Sequence, residues 1–114
     1  MPSIYKIVTT SQWREAEVAG AFRGAPVDLA DGYMHFSTSE QVAETAAKHF
    51  AGQRDLLLVR VDTERLGDKL TWEVSRGGAL FPHLYGELSL TDVVATEPLP
   101  LGEDGKHRFP ALVP

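Results

Sequence analysis

The stretch GYMHFSTSEQ, residues 32–41, organises the predicted fold. Side chains alternate between the two faces of a strand, so Met34 and Phe36 would face the core. His35 and Ser37 would face the opposite way. The stretch is typical of a short strand that runs straight into a helix, whose first backbone N–H groups favour an anion. An imidazole, hydroxyl groups and a helix N-terminus would then meet, which predicts a site for a ligand that carries a phosphate or carboxylate.

Side chains that can move a proton or hold a charge recur further along the chain. Histidine is the residue type that most often serves as acid, base or hydrogen-bond donor near neutral pH, which makes His35 and His83 candidates for these roles. Glu73 lies on a predicted strand and can stabilise a developing positive charge or act as a base. An exposed strand carboxylate is the simpler interpretation of Glu73, whereas the neighbouring Ser37 favours a ligand role for His35.

The segment LFPHLYG, residues 80–86, places aromatic side chains and a histidine between a proline and a glycine. Pro82 fixes the backbone just before His83, and Gly86 permits a turn. Such a rigid segment forms the wall of a ligand site or simply bridges two strands. Ser37 and Thr38 present a similar pair of alternatives, because a hydroxyl that caps a helix lies beside the same N–H groups that would bind an anion.

The composition limits the classes of function. The chain has 114 residues, of which 43% are hydrophobic and 24% charged, and this suits a single domain over residues 1–114. A formal net charge of −5 without a basic run argues against nucleic acid as the main partner. The absence of cysteine excludes disulfides and thiolate catalysis and fits a reducing cytoplasm. No apolar run is long enough for a membrane helix, and the first ten residues do not resemble a signal peptide.

Several familiar catalytic motifs are missing. Two histidines and Glu73 have ligand types that zinc accepts, but their spacing matches no helical or loop metal motif, so we expect no metal. A Ser-His-acid triad is not supported, because the sequence contains no Gly-x-Ser-x-Gly elbow. The sequence also lacks a phosphate loop and a Gly-x-Gly-x-x-Gly motif.

The remaining pattern predicts an α+β fold with a twisted antiparallel or mixed sheet and two main helices. Strands are predicted at residues 4–8, 55–61, 69–74 and 93–97, and helices at about 11–19 and 39–50. The apolar run at 55–61 suits a central strand that is covered on both faces. Trp13 would anchor the core. Residues 22–31 would form a loop in which Arg23 and Asp28 are solvated, and residues 99–114 an irregular tail.

Two motifs together point to a family. His-Phe-Ser-Thr at residues 35–38 and Phe-Pro-His-Leu-Tyr-Gly at residues 81–86 resemble a family of small bacterial proteins, number nine hundred and fifty-two among the domains of unknown function. The likeness extends from Ile4 to about Val94. The family name implies no established activity.

At a greater distance this family is similar to the ADP-ribosyltransferase-like fold, a split α+β sheet sandwich that holds NAD in a cleft. The resemblance implies that His35, with Ser37 or Thr38, contacts a ribose of the ligand. It also implies that Tyr85 stacks on the nicotinamide ring. A late-strand glutamate usually completes the transferase set. Glu73 comes early and Glu87 lies just after the turn, and neither falls in a clear motif of that kind.

We therefore expect a small cytoplasmic protein with a cleft for a nucleotide or NAD. The expected catalytic residues are His35, Glu73 and His83, and the expected ligand-binding residues are Ser37, Thr38, Tyr85, Phe81 and Tyr5. A non-catalytic module that binds a small anion or nucleotide is the alternative, and a protein-interaction domain is a third. An enzyme requires His35 and an acid within reach of one bound molecule. The identity of the ligand, the reaction and the oligomeric state stay open at this stage.

Overall fold

A four-stranded sheet lies between two clusters of buried hydrophobic residues, one on each of its faces. The computed structural model describes residues 2–114, without the side chain of Arg76. The strands of this sheet are Ser3–Thr9 (β1), Ser37–Thr38 (β4), Leu56–Asp62 (β5) and Val93–Pro98 (β9). They lie in the order β4-β1-β5-β9, and every pairing is antiparallel. The predicted strands at 4–8, 55–61 and 93–97 are confirmed to within one residue.

Both faces of this sheet are buried, as the apolar run in β5 predicted. Side chains in β1 alternate between the faces, so Ile4 and Val8 enter one cluster while Tyr5 and Ile7 enter the other. The first cluster also contains buried residues from β5 and from segments along the rest of the chain: Trp13, Ala16, Phe22, Met34, Phe36, Val59, Val61, Leu66, Leu84 and Leu88. The second is completed by Val42, Ala46, Leu56, Leu58 and Leu99.

The first helix, α1, spans Thr10–Ala19 and begins as its sequence predicts. The Thr9 hydroxyl accepts a hydrogen bond from Gln12 N, and the Gln12 side chain accepts one from Thr9 N. This reciprocal capping box satisfies two N–H groups that the helix itself cannot pair. Gly20 ends the helix in the left-handed region, with φ of 85°. Trp13 is buried, which confirms its predicted place in the core.

A second, three-stranded sheet carries the residues of functional interest. Its strands are Met34–His35 (β3), Leu70–Val74 (β6) and Leu80–Leu84 (β7), in the antiparallel order β3-β7-β6. The segment that was expected to wall a ligand site or bridge two strands is therefore the central strand of this sheet. Pro82 has no N–H, but its carbonyl accepts a hydrogen bond from Phe36 N at 3.0 Å. Ala21–Phe22 (β2) and Leu88–Ser89 (β8) form a further small antiparallel pair.

The prediction that β3 runs straight into a helix is wrong. The chain leaves the small sheet at Phe36 and joins the large sheet as β4, because Phe36 N pairs with β7 while Ser37 pairs with β1. Residues 39–41 then form a turn closed by Gln41 N and Thr38 O at 3.1 Å. The helix α3 spans Val42–His49, so it begins three residues later than predicted, and no side chain caps its N-terminus.

The predicted loop at residues 22–31 contains a short helix, α2, at Pro26–Asp31. Pro26 suits the first helical position, and the Asp28 carboxylate accepts a hydrogen bond from Ala25 N at 2.7 Å. Asp28 is only 3% exposed, so the expectation that it is solvated is wrong. Arg23, in contrast, is exposed and pairs with Glu87 on the surface.

The segment after β9 packs along the large sheet without regular secondary structure beyond one bridge between Leu101 and His107. Phe109 and Leu112 lie against the second cluster. Among the described residues, no helix is long and apolar enough to cross a membrane. The architecture is therefore α+β with antiparallel sheets and two main helices, as predicted, together with the additional short helix α2.

Candidate functional site

One face of the small sheet gathers two histidines, two tyrosines and a glutamate. His35 in β3 lies directly opposite His83 in β7, so their side chains project from the same face. Tyr33 and Tyr85 share this face because each lies two residues from one of the histidines. Glu73 in β6 lies opposite Phe81, and therefore joins the same face. We call Tyr33, His35, Glu73, His83 and Tyr85 the aromatic–acid cluster.

Glu73 is held by two donors. Its Oε1 atom accepts a hydrogen bond from the Tyr85 hydroxyl at 2.7 Å and one from His83 Nδ1 at 2.8 Å. The bond to Tyr85 and then the bond to His83 lower the pKa of Glu73 below its ordinary value of 4.5. The same bond raises the pKa of the Tyr85 hydroxyl above 10.0. Glu73 is therefore an ionised carboxylate at neutral pH, and a proton stays on Tyr85.

Tyr33 lies at the centre of the cluster. Its ring centre is 4.3 Å from that of His83, 4.8 Å from that of His35 and 5.4 Å from that of Tyr85. The two imidazoles meet edge to face at 5.3 Å. Sequence reasoning did not single out Tyr33 as a functional residue, although strand alternation already placed it on the face of His35.

His35 is fixed by three charged groups. Its Nε2 atom lies 2.7 Å from Asp31 Oδ2, and its side chain is 34% exposed. Its backbone N donates to Asp28 Oδ1 at 3.0 Å, and its carbonyl accepts from Lys6 Nζ at 2.8 Å. Lys6 and Asp28 themselves form an ion pair at 2.9 Å with side chains 6% and 2% exposed. Burial lowers the pKa of Lys6, and the Asp28 carboxylate opposes this effect.

Sequence reasoning missed Asp31 and the Lys6–Asp28 pair. A signal for the pair was present, because Lys6 shares a strand face with Ile4 and Val8, which belong to the core. A lysine on a buried face needs a carboxylate partner. The sequence did not reveal which carboxylate that would be.

A cleft of about 800 Å³ borders the cluster at its two imidazoles. This volume is within the range of small-molecule sites. His35, Phe81 and His83 contribute to the lining, and the other lining residues come from β1, the start of α1, α2 and the residue before it, residues 36–37, α3 and the loop after it, and the loop after β6. Tyr33, Glu73 and Tyr85 are not among the described residues that line the cleft. The Glu73 carboxylate contacts the lining through its hydrogen bond with His83.

The remaining predicted ligand residues lie elsewhere along the cleft or away from it. Ser37 lines the cleft but is buried, and its hydroxyl pairs with that of Thr45 at 2.8 Å. The backbone N–H of Thr38 donates to the Gln41 side chain at 3.0 Å. Groups expected to bind an anion are thus engaged within the protein. Tyr5 contributes to the lining, while its hydroxyl exchanges hydrogen bonds with the backbone of Val113.

The structure therefore brings together four of the predicted functional residues, His35, Glu73, His83 and Tyr85, with Phe81 beside them at the cleft. In the part of the chain that the structure describes, no three histidine, aspartate or glutamate side chains are arranged to hold a metal ion. The cluster is suited instead to aromatic stacking, to hydrogen bonding and to stabilising a positive charge.

Comparisons with known proteins show family and fold without an activity. A family model described as Protein of unknown function (DUF952) matches residues 7–96. The crystal structure of protein CC0527 from Caulobacter crescentus is 49% identical, with a TM-score of 0.90 and 93% of each chain covered. Its solution NMR structure gives 50% identity and a TM-score of 0.84, covering 93% of this chain and 91% of that one. Both were structural genomics targets. The comparison with curated proteins gave no match.

Proposed function

The chain belongs to the DUF952 family of proteins of unknown function, and we propose that it binds an NAD-type nucleotide in its cleft and acts on the N-glycosidic bond of that ligand. The observation that carries the proposal is the Glu73 carboxylate, ionised and oriented by Tyr85 and His83 beside aromatic rings. The resemblance to the ADP-ribosyltransferase-like fold, which implies an NAD cleft, supports the same assignment.

The chemistry of the bond explains why an oriented carboxylate matters. In NAD a positively charged pyridinium nitrogen is bonded to the ribose carbon. As that bond breaks, the electron pair moves to the ring nitrogen and positive charge develops on the sugar, whose carbon then forms a bond to the oxygen of water as the water loses a proton. A fixed carboxylate favours this oxocarbenium-like state electrostatically. Because Tyr85 and His83 already orient Glu73, little reorganisation is needed when the charge develops.

The aromatic residues suit the same ligand. The face of an aromatic ring attracts a cationic ring, and Tyr85 is 44% exposed and thus open to one, while Tyr33 packs behind it. Phe81 adds apolar surface to the cleft. His35 would orient a ribose hydroxyl, and His83 would either orient Glu73 or transfer a proton.

The hydroxyl residues are weaker parts of the proposal. For Ser37 to hold an anion, its hydroxyl would have to leave Thr45. The N–H of Thr38 would likewise have to leave Gln41. Tyr5 would contribute only its ring, because its hydroxyl is held by Val113.

The test compares Glu73→Gln with Glu87→Gln. Binding of NAD, ADP-ribose and nicotinamide is measured by ligand-observed NMR, followed by the rate of nicotinamide release from NAD. We expect Glu73→Gln to bind NAD within about threefold of the wild type but to release nicotinamide roughly 100-fold more slowly, since it loses an electrostatic contact of the transition state. Glu87, which pairs with Arg23 on the surface, is the matched control and should leave both quantities unchanged. Wild-type protein that binds none of the three ligands would refute the proposal.

A non-catalytic binding module is the second candidate. The observation that favours it is that Glu73 is not among the described residues that line the cleft and contacts the lining through His83. In this case NAD or ADP-ribose binds, His35→Ala weakens the binding, and no nicotinamide is released at any enzyme concentration. Release from the wild type that exceeds the uncatalysed rate would exclude this alternative.

A further inference from the structure

The buried ion pair between Lys6 and Asp28 acts on the backbone of a single residue of the cluster. We propose that this pair and Asp31 form a positioning device for His35, which sets where its imidazole stands at the edge of the cleft. The inference deepens the proposed function, because it assigns the residues that place a ligand-contacting group. The placement itself does not depend on which ligand the cleft holds.

Both backbone polar groups of His35 are tied to the pair. Its N–H donates to Asp28 Oδ1 at 3.0 Å, and its carbonyl accepts from Lys6 Nζ at 2.8 Å. Hydrogen bonds to ionised groups are stronger than those between neutral groups. β3 is only two residues long and lies at the edge of its sheet, so pairing with β7 alone provides little support. The ion pair supplies the second attachment from the side of α2 and β1.

The helix α2 contacts both the backbone and the imidazole of His35. Asp28 faces inward and binds the backbone, whereas Asp31, three residues later, faces outward and contacts Nε2 at 2.7 Å. A carboxylate only accepts hydrogen bonds, so Nε2 carries a proton when it bonds to Asp31. Among the described contacts, Nδ1 is then the ring nitrogen left to meet a ligand. The same helix also lines the cleft through Pro26 and Val27.

Stability alone does not account for such a pair. A buried ion pair costs desolvation, and replacing it with apolar residues of similar volume is often neutral or stabilising. The Lys6–Asp28 pair lies where β1 and α2 meet β3, and it bonds to both backbone polar groups of His35. The geometry therefore points to placement of His35 as the specific role of the pair.

The experiment measures amide exchange in ligand-free protein for two variants, Lys6→Met and Lys6→Met/Asp28→Leu. They differ only at Asp28, the acceptor for His35 N–H. Phe36 N–H is the internal reference, because it donates to Pro82 O and not to the pair. Lys6→Met is the baseline for the comparison, because Phe36 N–H belongs to the same peptide group as the His35 carbonyl that Lys6 Nζ binds, so both variants lose that bond equally. We expect the protection of His35 relative to Phe36 to be roughly tenfold to hundredfold lower in the double variant than in Lys6→Met.

The imidazole gives a second readout, and the amide of Ala25, which also donates to Asp28, reports any loosening of α2 itself. In the double variant we expect the His35 Nε2–H signal, which reports the contact with Asp31, to broaden or shift. The signal of His107, whose Nε2 pairs with the Gln53 carbonyl and has no described contact with Lys6, Asp28 or Asp31, should stay in place. The surface variant Arg23→Met/Glu87→Gln is the matched control and should change neither readout.

Two outcomes would overturn the inference: equal loss of protection at His35 and Phe36 in the double variant, or an unchanged His35 amide and imidazole. If the double variant does not fold, Asp28→Glu keeps the charge and displaces the carboxylate by one methylene, and the same ratio is measured. An absence of NAD binding would refute the proposed function but leave these results intact. The two failures are therefore distinguishable.

Discussion

Glu73 accepts two hydrogen bonds, and this determines how its contribution to stability depends on pH. Its pKa in the folded protein lies below 4.5, first because of Tyr85 and then because of His83. A group with a depressed folded pKa stabilises the protein above its unfolded pKa, and this contribution is lost as the pH falls through the folded pKa. We therefore expect the difference in unfolding free energy between the wild type and Glu73→Gln to shrink from pH 6 to about pH 3. Urea unfolding across this range would measure it, and a constant difference would contradict the expectation.

The same contact makes a prediction for Tyr85. The bond to Glu73 raises the pKa of its hydroxyl above 10.0, because the neutral phenol donates to a carboxylate. In Glu73→Gln this pKa should fall back towards 10.0, since a neutral amide neither repels the phenolate nor requires the proton. A carbon NMR titration of the tyrosine ring provides the measurement, with Glu87→Gln as control. A Tyr85 pKa that is the same in both variants would show that the contact is absent in solution.

Residue type and spacing predicted most residues of the candidate site but not the ion pair that holds the backbone of His35. The candidates His35, His83, Glu73 and Tyr85 follow from the chemistry of their side chains, but the pairing of β3 with β7 that puts both histidines on one face was not predicted. The Lys6–Asp28 pair joins residues 22 positions apart, and no local pattern encodes such a contact. Pairings of this kind depend on how the elements pack, which the sequence indicated only as a buried face of β1.

At the level of elements, the two main helices differ in whether a side chain caps the N-terminus. Thr9 and Gln12 form a complete capping box at the start of α1, whereas α3 has no side-chain cap. We expect Thr9→Ala to lower the unfolding free energy by about 1 kcal/mol, because it removes the acceptor for Gln12 N. Ser39→Ala, just before α3, should change it by less than about 0.5 kcal/mol. Chemical denaturation of the two variants tests this, and equal effects would contradict the assignment of caps.

Long elements were predictable and short ones were not. The strands β1, β5 and β9 and the helix α1 contain enough periodic residues for their type to be clear. β3 and β4 have two residues each, and they belong to different sheets because Phe36 N reaches Pro82 O. The helix α2 spans only six residues, and its start depends on Asp28, which had been interpreted as solvated. At β3 and β4 a tertiary hydrogen bond overrides the local pattern. At α2 the bond from Ala25 N to Asp28 is local, and it is the pairing of Asp28 with Lys6 that the local pattern does not reveal.

At the scale of the whole molecule, the chain's two ends meet. The Tyr5 hydroxyl donates to Val113 O at 3.0 Å and accepts from Val113 N at 2.6 Å, 108 positions away. Phe109 and Leu112 cover the second cluster between these contacts. Removing residues 109–114 should therefore lower the unfolding free energy by about 2–4 kcal/mol, through exposure of apolar surface. Thermal and urea unfolding would measure the loss, and an unchanged midpoint would show that the segment does not stabilise the fold.

A substitution at Tyr5 separates the energy of its hydrogen bonds with Val113 from the energy of the apolar surface that residues 109–114 cover. In the full chain, Tyr5→Phe should cost about 1–2 kcal/mol, because it removes both hydrogen bonds with Val113 while keeping the ring in the core. In the chain that lacks residues 109–114 the same substitution should cost close to nothing, because the hydroxyl has already lost its partner. A double-mutant cycle on the four proteins isolates this interaction. If Tyr5→Phe is equally costly in both backgrounds, the hydroxyl acts elsewhere, and since Tyr5 also lines the cleft, its role there would then become the leading explanation.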